Sequence, residues 1–287
     1  MNKLTAKHPP HVKSIMPQPV MNTPTYRLFS GLFTLLIAAN VFSAVPAEPR
    51  TSESAVTPIE KSRHTDFMRQ ISAARGDFDF VLIGDSITDF WPTRGQDSYA
   101  RFAPWKPLDL GVSGETTEEV LWRLLNGELD NIHPKVVMIM IGTNNIGHYR
   151  DEKAEWVAAG IAKIIETVRA KQPQARILLL AIFPREFSPN GAQRQKTLQV
   201  NAMLPPLADG KNVYFVDIGP KFLDPQGNLP KEIMPDGLHP NDQGYRIWIE
   251  AVKPKLEELM GAPLAPAPSL TTMTNSHSSS STNSAIK

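Results

Sequence analysis

The chain has 287 residues, which is enough for one large domain or two small ones. Its 30 Lys and Arg residues nearly balance 29 Asp and Glu residues, and a net charge of +1 gives no overall field that would attract nucleic acid or an anionic membrane. The sequence has no cysteine, which excludes disulfides, thiolate zinc sites, a cysteine nucleophile and a lipidated cysteine.

Residues 1–47 are expected to form an N-terminal extension and a secretory signal peptide. A weakly basic stretch precedes residues 28–47, which carry no charge and have a strongly apolar centre, and small residues follow. Cleavage is expected after Ala44 or after Ala47, and the protein is expected to be secreted or periplasmic. The alternatives are an uncleaved membrane anchor, since the run nearly reaches spanning length, and a buried core helix. Three methionines are candidate starts: Met1, Met16 and Met21.

One folded domain is predicted over residues 62–260. Residues 48–61 are rich in Pro, Ser, Thr and Glu and are expected to form a linker, and the Ser/Thr-rich residues 261–287 are expected to be disordered.

Five apolar runs are predicted to form strands, at 79–83, 108–110, 136–141, 177–182 and 213–216. Helical patterns occupy residues 62–74, a stretch starting at Thr116, and residues 152–171, 194–207 and 243–260, and a loop or broken helix occupies 91–107. Strands that alternate with helices predict a single three-layer α/β/α sandwich with about five mostly parallel strands.

Residues that could take part in catalysis follow the predicted strands. Ser86 follows the first strand, Gly114 follows the second and opens a helix, and Asn144 follows the third. Asp236 and His239 come after the last strand, just before the closing helix. Because ligands bind outside the carboxyl ends of the strands in open α/β sheets, we expect these loops to converge on one crevice.

These residue types match the parts of a serine hydrolase site. Ser86 needs a base to act as a nucleophile, and His239 has the side chain whose pKa lies nearest neutrality. Asp236 can orient the imidazole and stabilise its protonated form. The N–H groups of Ser86 and Gly114 and the side-chain amide of Asn144 are donors for the oxyanion that forms when an ester carbonyl is attacked.

Four blocks of the sequence resemble those of the SGNH (GDSL-type) hydrolases, in the same order and spacing: Gly-Asp-Ser-Ile at 84–87, Gly-Val-Ser-Gly-Glu-Thr-Thr at 111–117, Gly-Thr-Asn-Asn at 142–145 and Asp-Gly-Leu-His-Pro at 236–240. Residues 120–129 and 134–137 further resemble the catalytic subunits of platelet-activating-factor acetylhydrolase, and the last block resembles bacterial carbohydrate acetylesterases. The resemblance implies a flavodoxin-like sheet and a small-acyl ester substrate. It also implies Ser86 as nucleophile, Gly114 and Asn144 in the oxyanion hole, and Asp236 and His239 as the rest of the triad.

The expected substrate is an acetyl or other short-chain acyl ester of a carbohydrate or related small molecule, and the expected chemistry needs no metal or other cofactor. A lysophospholipase or thioesterase acting on lipids is one alternative. A metal-assisted phosphoesterase, with magnesium held by Asp85, Asp89 and Asp217, is another, and a non-catalytic ester- or glycan-binding module is a third. The oligomeric state is left open.

Other residues near the motifs are expected to line the pocket, to support turns or to pack. Phe90, Trp91 and Leu238 are candidates for lining a substrate pocket. Asp85 and Asn145 are expected to support the turns in which they lie. Five further side chains are expected to pack or to lie at the surface rather than to act in chemistry: Trp122, Trp156, His64, His133 and His148.

Overall fold

The computed structural model describes residues 61–149 and 151–267. The predicted signal peptide, almost all of the predicted linker and the predicted tail beyond residue 267 lie outside these ranges. Within the described ranges, no helix is both long enough and apolar enough to cross a membrane.

A five-stranded parallel sheet forms the centre of the fold. Its strands are β1 (Phe80–Gly84), β2 (Pro107–Gly111), β3 (Val136–Met140), β4 (Arg176–Leu180) and β5 (Val213–Val216). They lie in the order β2-β1-β3-β4-β5, and every neighbouring pair is parallel. This is the strand order of flavodoxin-like sheets, so the predicted fold class is confirmed. The order also places β1 between β2 and β3.

Helices connect the strands, close to the predicted positions. The helices are α1 (Lys61–Ala73), α2 (Ser86–Asp89), α3 (Trp91–Arg94), α4 (Gln96–Ala100), α5 (Thr117–Arg123), α6 (Thr143–His148), α7 (Ala154–Lys171), α8 (Ala192–Met203) and α9 (Asp242–Met260). Helix α8 ends before the predicted residue 207 because Pro205 and Pro206 follow, and a 3-10 turn at Pro205–Leu207 replaces its last turn. A π-helical turn at Leu124–Glu128 follows α5, and further 3-10 turns lie at Ala103–Trp105 and Gly219–Phe222.

Two separate hydrophobic layers cover the two faces of the sheet. Alternate side chains of β1 point to opposite faces, with Val81 and Ile83 in one layer and Phe80 and Leu82 in the other. Helices α1, α5, α7 and α8 pack on the first face, and helix α9 with residues 91–105 packs on the second. The arrangement is the predicted three-layer sandwich.

The folded domain extends beyond the predicted end at residue 260. Leu264 is buried, and its N–H donates to Glu257. Arg101 donates from Nε to the Ala265 carbonyl at 2.9 Å, and the Ala265 N–H returns a bond to the Arg101 carbonyl at 3.1 Å. Leu264 and Ala265, which lie in the tail that we expected to be disordered, therefore contact the domain.

Candidate active site

Ser86 is the first residue of the short helix α2, and one residue separates it from the end of strand β1. Asp85 caps this helix: its Oδ1 accepts the Ile87 N–H at 3.0 Å, and its carbonyl accepts the N–H groups of Thr88 and Asp89. The Ser86 N–H has no acceptor among the described residues and is free to bind an oxyanion. The turn needs glycine at position 84, because a Cβ there would lie 2.0 Å from the Thr88 hydroxyl.

Three of the predicted catalytic side chains form a continuous hydrogen-bonded series. Ser86 Oγ lies 2.9 Å from His239 Nε2, and His239 Nδ1 lies 2.7 Å from Asp236 Oδ2. Asp236 Oδ1 also accepts the backbone N–H groups of Leu238 at 3.0 Å and His239 at 2.8 Å. The carboxylate therefore fixes both the turn and the imidazole, which is the arrangement that general-base activation of a serine requires.

The environment of Asp236 favours its charged form. Partial burial opposes ionisation, but hydrogen bonds from the backbone and imidazole of His239 hold the pKa of Asp236 below its ordinary value. A carboxylate that stays charged can accept the Nδ1–H of His239, which leaves Nε2 free to take the proton of Ser86.

Two of the predicted oxyanion donors, Gly114 and Asn144, lie in the segments that follow β2 and β3, the strands that flank β1. Gly114 follows β2 in a turn with φ of 84°, a left-handed conformation that glycine adopts without strain. Helix α5 starts at Thr117, so Gly114 precedes the helix rather than opening it. Asn144 is buried near the start of α6, after β3, and its Nδ2 donates to the Glu115 carbonyl at 2.9 Å. This bond fixes the Asn144 amide next to the Gly114 turn, and a second N–H of the amide remains for substrate.

Asn145 has the supporting role expected for it. Its Oδ1 accepts the Thr117 N–H at 3.0 Å, and its Nδ2 donates to Glu118 at 2.9 Å. Thr116 and Glu119 form a capping box at the start of α5, where the sequence predicts a helix to begin. The loops after β2 and β3 are thus joined by several buried hydrogen bonds.

The candidate pocket residues separate into two groups. The Phe90 ring lies 5.3 Å from the His239 ring, and Leu238 is half-buried beside the same histidine. Trp91, by contrast, is completely buried, stacks on Trp248 at 4.0 Å and is held by Ser98, so its prediction as a pocket residue is wrong. Helix α3 turns the indole toward the core although the residue follows the nucleophile closely in the sequence.

Arg185, after β4, is a site residue that the sequence reasoning missed. It donates to the carbonyl and the hydroxyl of Thr143, next to Asn144. The backbone N–H of the next residue, Glu186, donates to the Gly237 carbonyl at 2.7 Å, inside the turn that carries Asp236 and His239. The segment after β4 therefore links the oxyanion loop to the catalytic turn. Its position after a parallel strand was the signal that could have revealed it.

Asp85 is buried beneath the nucleophile. Burial raises the pKa of the Asp85 carboxyl to about 7, although the Ile87 N–H and the charge of Arg185 act in the opposite direction. Its Oδ2 has no hydrogen-bond partner among the described residues. The main role of Asp85 is the helix cap, as expected.

A buried ionic cluster lies behind the oxyanion loop, and the sequence reasoning also missed it. Arg123 is fully buried and bonds to Glu115 at 2.7 Å, to Glu128, and to the Leu110 carbonyl at 3.0 Å. His64 Nδ1 lies 2.9 Å from the other oxygen of Glu128. Burial raises the pKa of Glu115 to about 7, against the influence of Arg123. The cluster fixes the side chain of Glu115, and the Glu115 carbonyl accepts the hydrogen bond from Asn144.

The aspartates of the magnesium alternative are bound to separate partners. Asp89 pairs with Arg63 at 2.8 Å and accepts the Ser113 hydroxyl, and Asp217 accepts the Gly219 N–H. In residues 61–149 and 151–267, no group of three His, Asp or Glu side chains is placed to hold a metal ion. The structure does not bring the three aspartates together.

Comparisons with known proteins give a family match and several similar proteins. The model of the GDSL-like Lipase/Acylhydrolase family matches residues 82–247. The chain is 38% identical over 196 residues to platelet-activating factor acetylhydrolase IB subunit alpha1 of Homo sapiens, covering 66% of this chain and 82% of that protein. It is 39% identical over 171 residues to the alpha2 subunit of Rattus norvegicus, covering 58% and 71%.

Solved structures share the fold. A GDSL-like lipase from Bacteroides thetaiotaomicron is similar with a TM-score of 0.59 at 22% identity, covering 68% of this chain and 97% of that one. An acetylxylan esterase from Geobacillus stearothermophilus is similar with a TM-score of 0.52 at 19% identity, covering 67% and 98%.

Proposed function

Because this chain belongs to the GDSL-like lipase/acylhydrolase family and is a carboxylic ester hydrolase, we propose that it hydrolyses acetyl or other short-chain acyl esters through a serine acyl-enzyme. The observation that carries the proposal is the series Ser86–His239–Asp236, with distances of 2.9 Å and 2.7 Å. Nucleophile, base and orienting carboxylate are already within hydrogen-bonding reach of one another.

The reaction has two steps. In the first, Ser86 Oγ attacks the ester carbonyl while His239 Nε2 takes the hydroxyl proton, and the N–H groups of Ser86, Gly114 and Asn144 bind the oxyanion. The tetrahedral intermediate breaks its bond to the alcohol, which leaves with the proton from His239. In the second step, His239 takes a proton from water, the hydroxide attacks the acyl-serine, and the proton returns to Ser86 Oγ as the carboxylic acid leaves. Asp236 stabilises the protonated imidazole in both steps.

An acetyl or similarly short acyl group is the proposed acyl part. The curated relatives are named acetylhydrolases and are 38% and 39% identical to this chain. A carbohydrate or another polar alcohol is the proposed leaving group, since the space beside His239 is lined by Arg94, Asn241 and Asp242 as well as by proline. The same relatives favour a second candidate, an acetylated phospholipid.

The first experiment compares Ser86→Ala with the wild-type enzyme on 4-nitrophenyl acetate. We expect turnover to fall by about three orders of magnitude or more, because the oxyanion donors alone give little rate without a nucleophile. The matched control is Ser72→Ala, an exposed serine on α1, which should hydrolyse the ester at the wild-type rate. Unchanged turnover in Ser86→Ala would exclude the proposed mechanism.

Acyl length and alcohol are tested separately. A series of 4-nitrophenyl esters from acetate to laurate should show the highest kcat/KM at two to four carbons. Activity restricted to the long esters would contradict the short-acyl proposal and favour a lipase or thioesterase. Acetylated sugars and an acetylated lysophospholipid then distinguish the two proposed alcohols.

We also propose that residues 28–47 direct export to the periplasm or the medium. The support is the uncharged apolar run and the small residues after it. N-terminal sequencing of the mature protein should begin at Val45 or Glu48. A retained N-terminus in the membrane fraction would contradict cleavage and favour the anchor.

A further inference from the structure

An open cleft of about 410 Å³ lies on the His239 side of the triad. It is lined by Asp236, His239, Pro240, Asn241, Asp242 and Arg94. In the proposed reaction His239 gives its proton to the departing alcohol, so the alcohol must lie next to this imidazole. The cleft is therefore the place for the alcohol part of the ester.

Most polar groups of the cleft are already engaged. Asp236 is held by His239 and two backbone N–H groups. Asp242 binds Arg246 Nε at 2.9 Å. The Asn241 side chain accepts the Gly244 N–H and donates to the Glu232 carbonyl. These groups have little capacity left to recognise a ligand.

Arg94 is the exception. It ends α3, and its guanidinium lies 4.0 Å from the centre of the Phe90 ring, which in turn lies 5.3 Å from the His239 ring. Among the described residues it has no hydrogen-bond acceptor and no carboxylate partner. The aromatic contact fixes the position of the guanidinium plane, and its donors remain open to the cleft.

We propose that Arg94 binds an anionic oxygen group, a carboxylate or a phosphate, on the alcohol part of the ester. This inference rests on the proposed function. The planar guanidinium fork matches both groups and forms two parallel hydrogen bonds to either. Asp236 and Asp242 do not bind the Arg94 guanidinium, because Asp236 accepts from His239 and two backbone N–H groups and Asp242 pairs with Arg246. The favoured substrates are thus acylated acidic sugars or acylated phosphate-bearing alcohols, in preference to neutral ones.

The test uses three aryl acetates with the same acetyl group and the same phenol ring. They carry a carboxylate, a phosphate monoester or a neutral carboxamide in the para position. The measured quantity is kcat/KM for each anionic ester divided by kcat/KM for the neutral one, which cancels defects common to all three. It is determined for the wild type, Arg94→Gln, Arg94→Lys and Arg75→Gln.

We expect Arg94→Gln to lower at least one of these ratios about tenfold or more, because a charge-assisted bidentate contact is lost. Arg94→Lys should keep part of the preference, since it retains the charge but not the fork. Arg75→Gln changes the net charge equally at an exposed position before β1 and should leave the ratios unchanged. A larger loss for the carboxylate ester supports an acidic sugar, and a larger loss for the phosphate ester supports a phosphorylated alcohol.

Ratios in Arg94→Gln equal to those of the wild type for both anionic esters would overturn the proposal. This failure differs from failure of the proposed function. If Ser86→Ala is inactive and only the ratios stay unchanged, the anion site is wrong and the esterase stands. If Ser86→Ala hydrolyses the neutral ester normally, the esterase mechanism itself is wrong.

Discussion

Replacing Arg123 with methionine should destabilise the domain severely. The guanidinium is fully buried, as are the two carboxylates of Glu115 and Glu128 that it neutralises. Without it, both carboxyl groups stay in the core and have lost the guanidinium that pairs with them. Removing one member of a buried ion pair costs about 3–5 kcal/mol. For a domain of this size, that corresponds to a melting temperature lower by roughly 6–20 °C.

The effect should also depend on pH, which provides a second measurement. Burial already raises the pKa of Glu115 to about 7 with Arg123 present, and loss of the cation raises this pKa further. At pH 5 the buried Glu115 carboxyl of the variant keeps its proton and carries no charge, whereas at pH 8 the unfolded chain ionises this group freely and the folded protein does so only at a free-energy cost. Thermal unfolding at both pH values should therefore show a larger deficit at pH 8.

Two further variants make the reasoning testable. The triple variant Arg123→Met, Glu115→Gln, Glu128→Gln also removes the two buried carboxylates that have lost their cation, and it should recover most of the lost stability. The control Lys163→Met breaks an exposed pair with Glu166 and should change stability by no more than about 1 kcal/mol. A deficit in Arg123→Met as small as that of the control, or equal at pH 5 and pH 8, would refute the argument.

Two other predictions concern the oxyanion loop and the residue beneath the nucleophile. Asn144→Ala should lower kcat by about 10²–10³ with a smaller change in KM, measured on 4-nitrophenyl acetate, and an unchanged kcat would remove Asn144 from the oxyanion hole. Burial raises the pKa of Asp85 from 3.8 to about 7, so the folded protein keeps this proton between about pH 4 and pH 7 while the unfolded chain loses it. Wild-type stability should therefore fall as the pH rises through this window, and urea unfolding should show a weaker fall in Asp85→Asn. Equal pH dependence in both proteins would contradict the assignment.

The sequence predicts those parts of the structure that depend on local patterns. The apolar run at 136–141 is long enough and apolar enough to indicate a central parallel strand, and β3 lies there. The sequence predicts a helix that starts at Thr116, and α5 begins there with Thr116 as its N-cap. Because every strand is parallel, the loops after β1, β2 and β3 necessarily meet at one edge, which brings Ser86, Gly114 and Asn144 to the same end of the sheet.

The features that the sequence did not predict depend on contacts between distant segments. Nothing in the pattern around Arg123 shows that helix α5 turns this residue inward, toward carboxylates on both sides of it. Trp91 follows the nucleophile closely, but its direction is set by α9, whose Trp248 offers a stacking partner. Leu264 lies in a Pro/Ala-rich stretch, which is held by Glu257 of α9 and by Arg101, a residue far away in the sequence.

The bond between Ser86 and His239 joins residues that are 153 positions apart. The nucleophile is made early during synthesis, whereas its base precedes the last helix of the domain. In the proposed mechanism, a ribosome-bound chain that lacks the final third of its length therefore carries an inert serine, and hydrolysis begins only after the last segment of the domain has packed. Ester turnover is consequently a direct reporter of completed folding, and refolding followed by activity should coincide with the docking of α9.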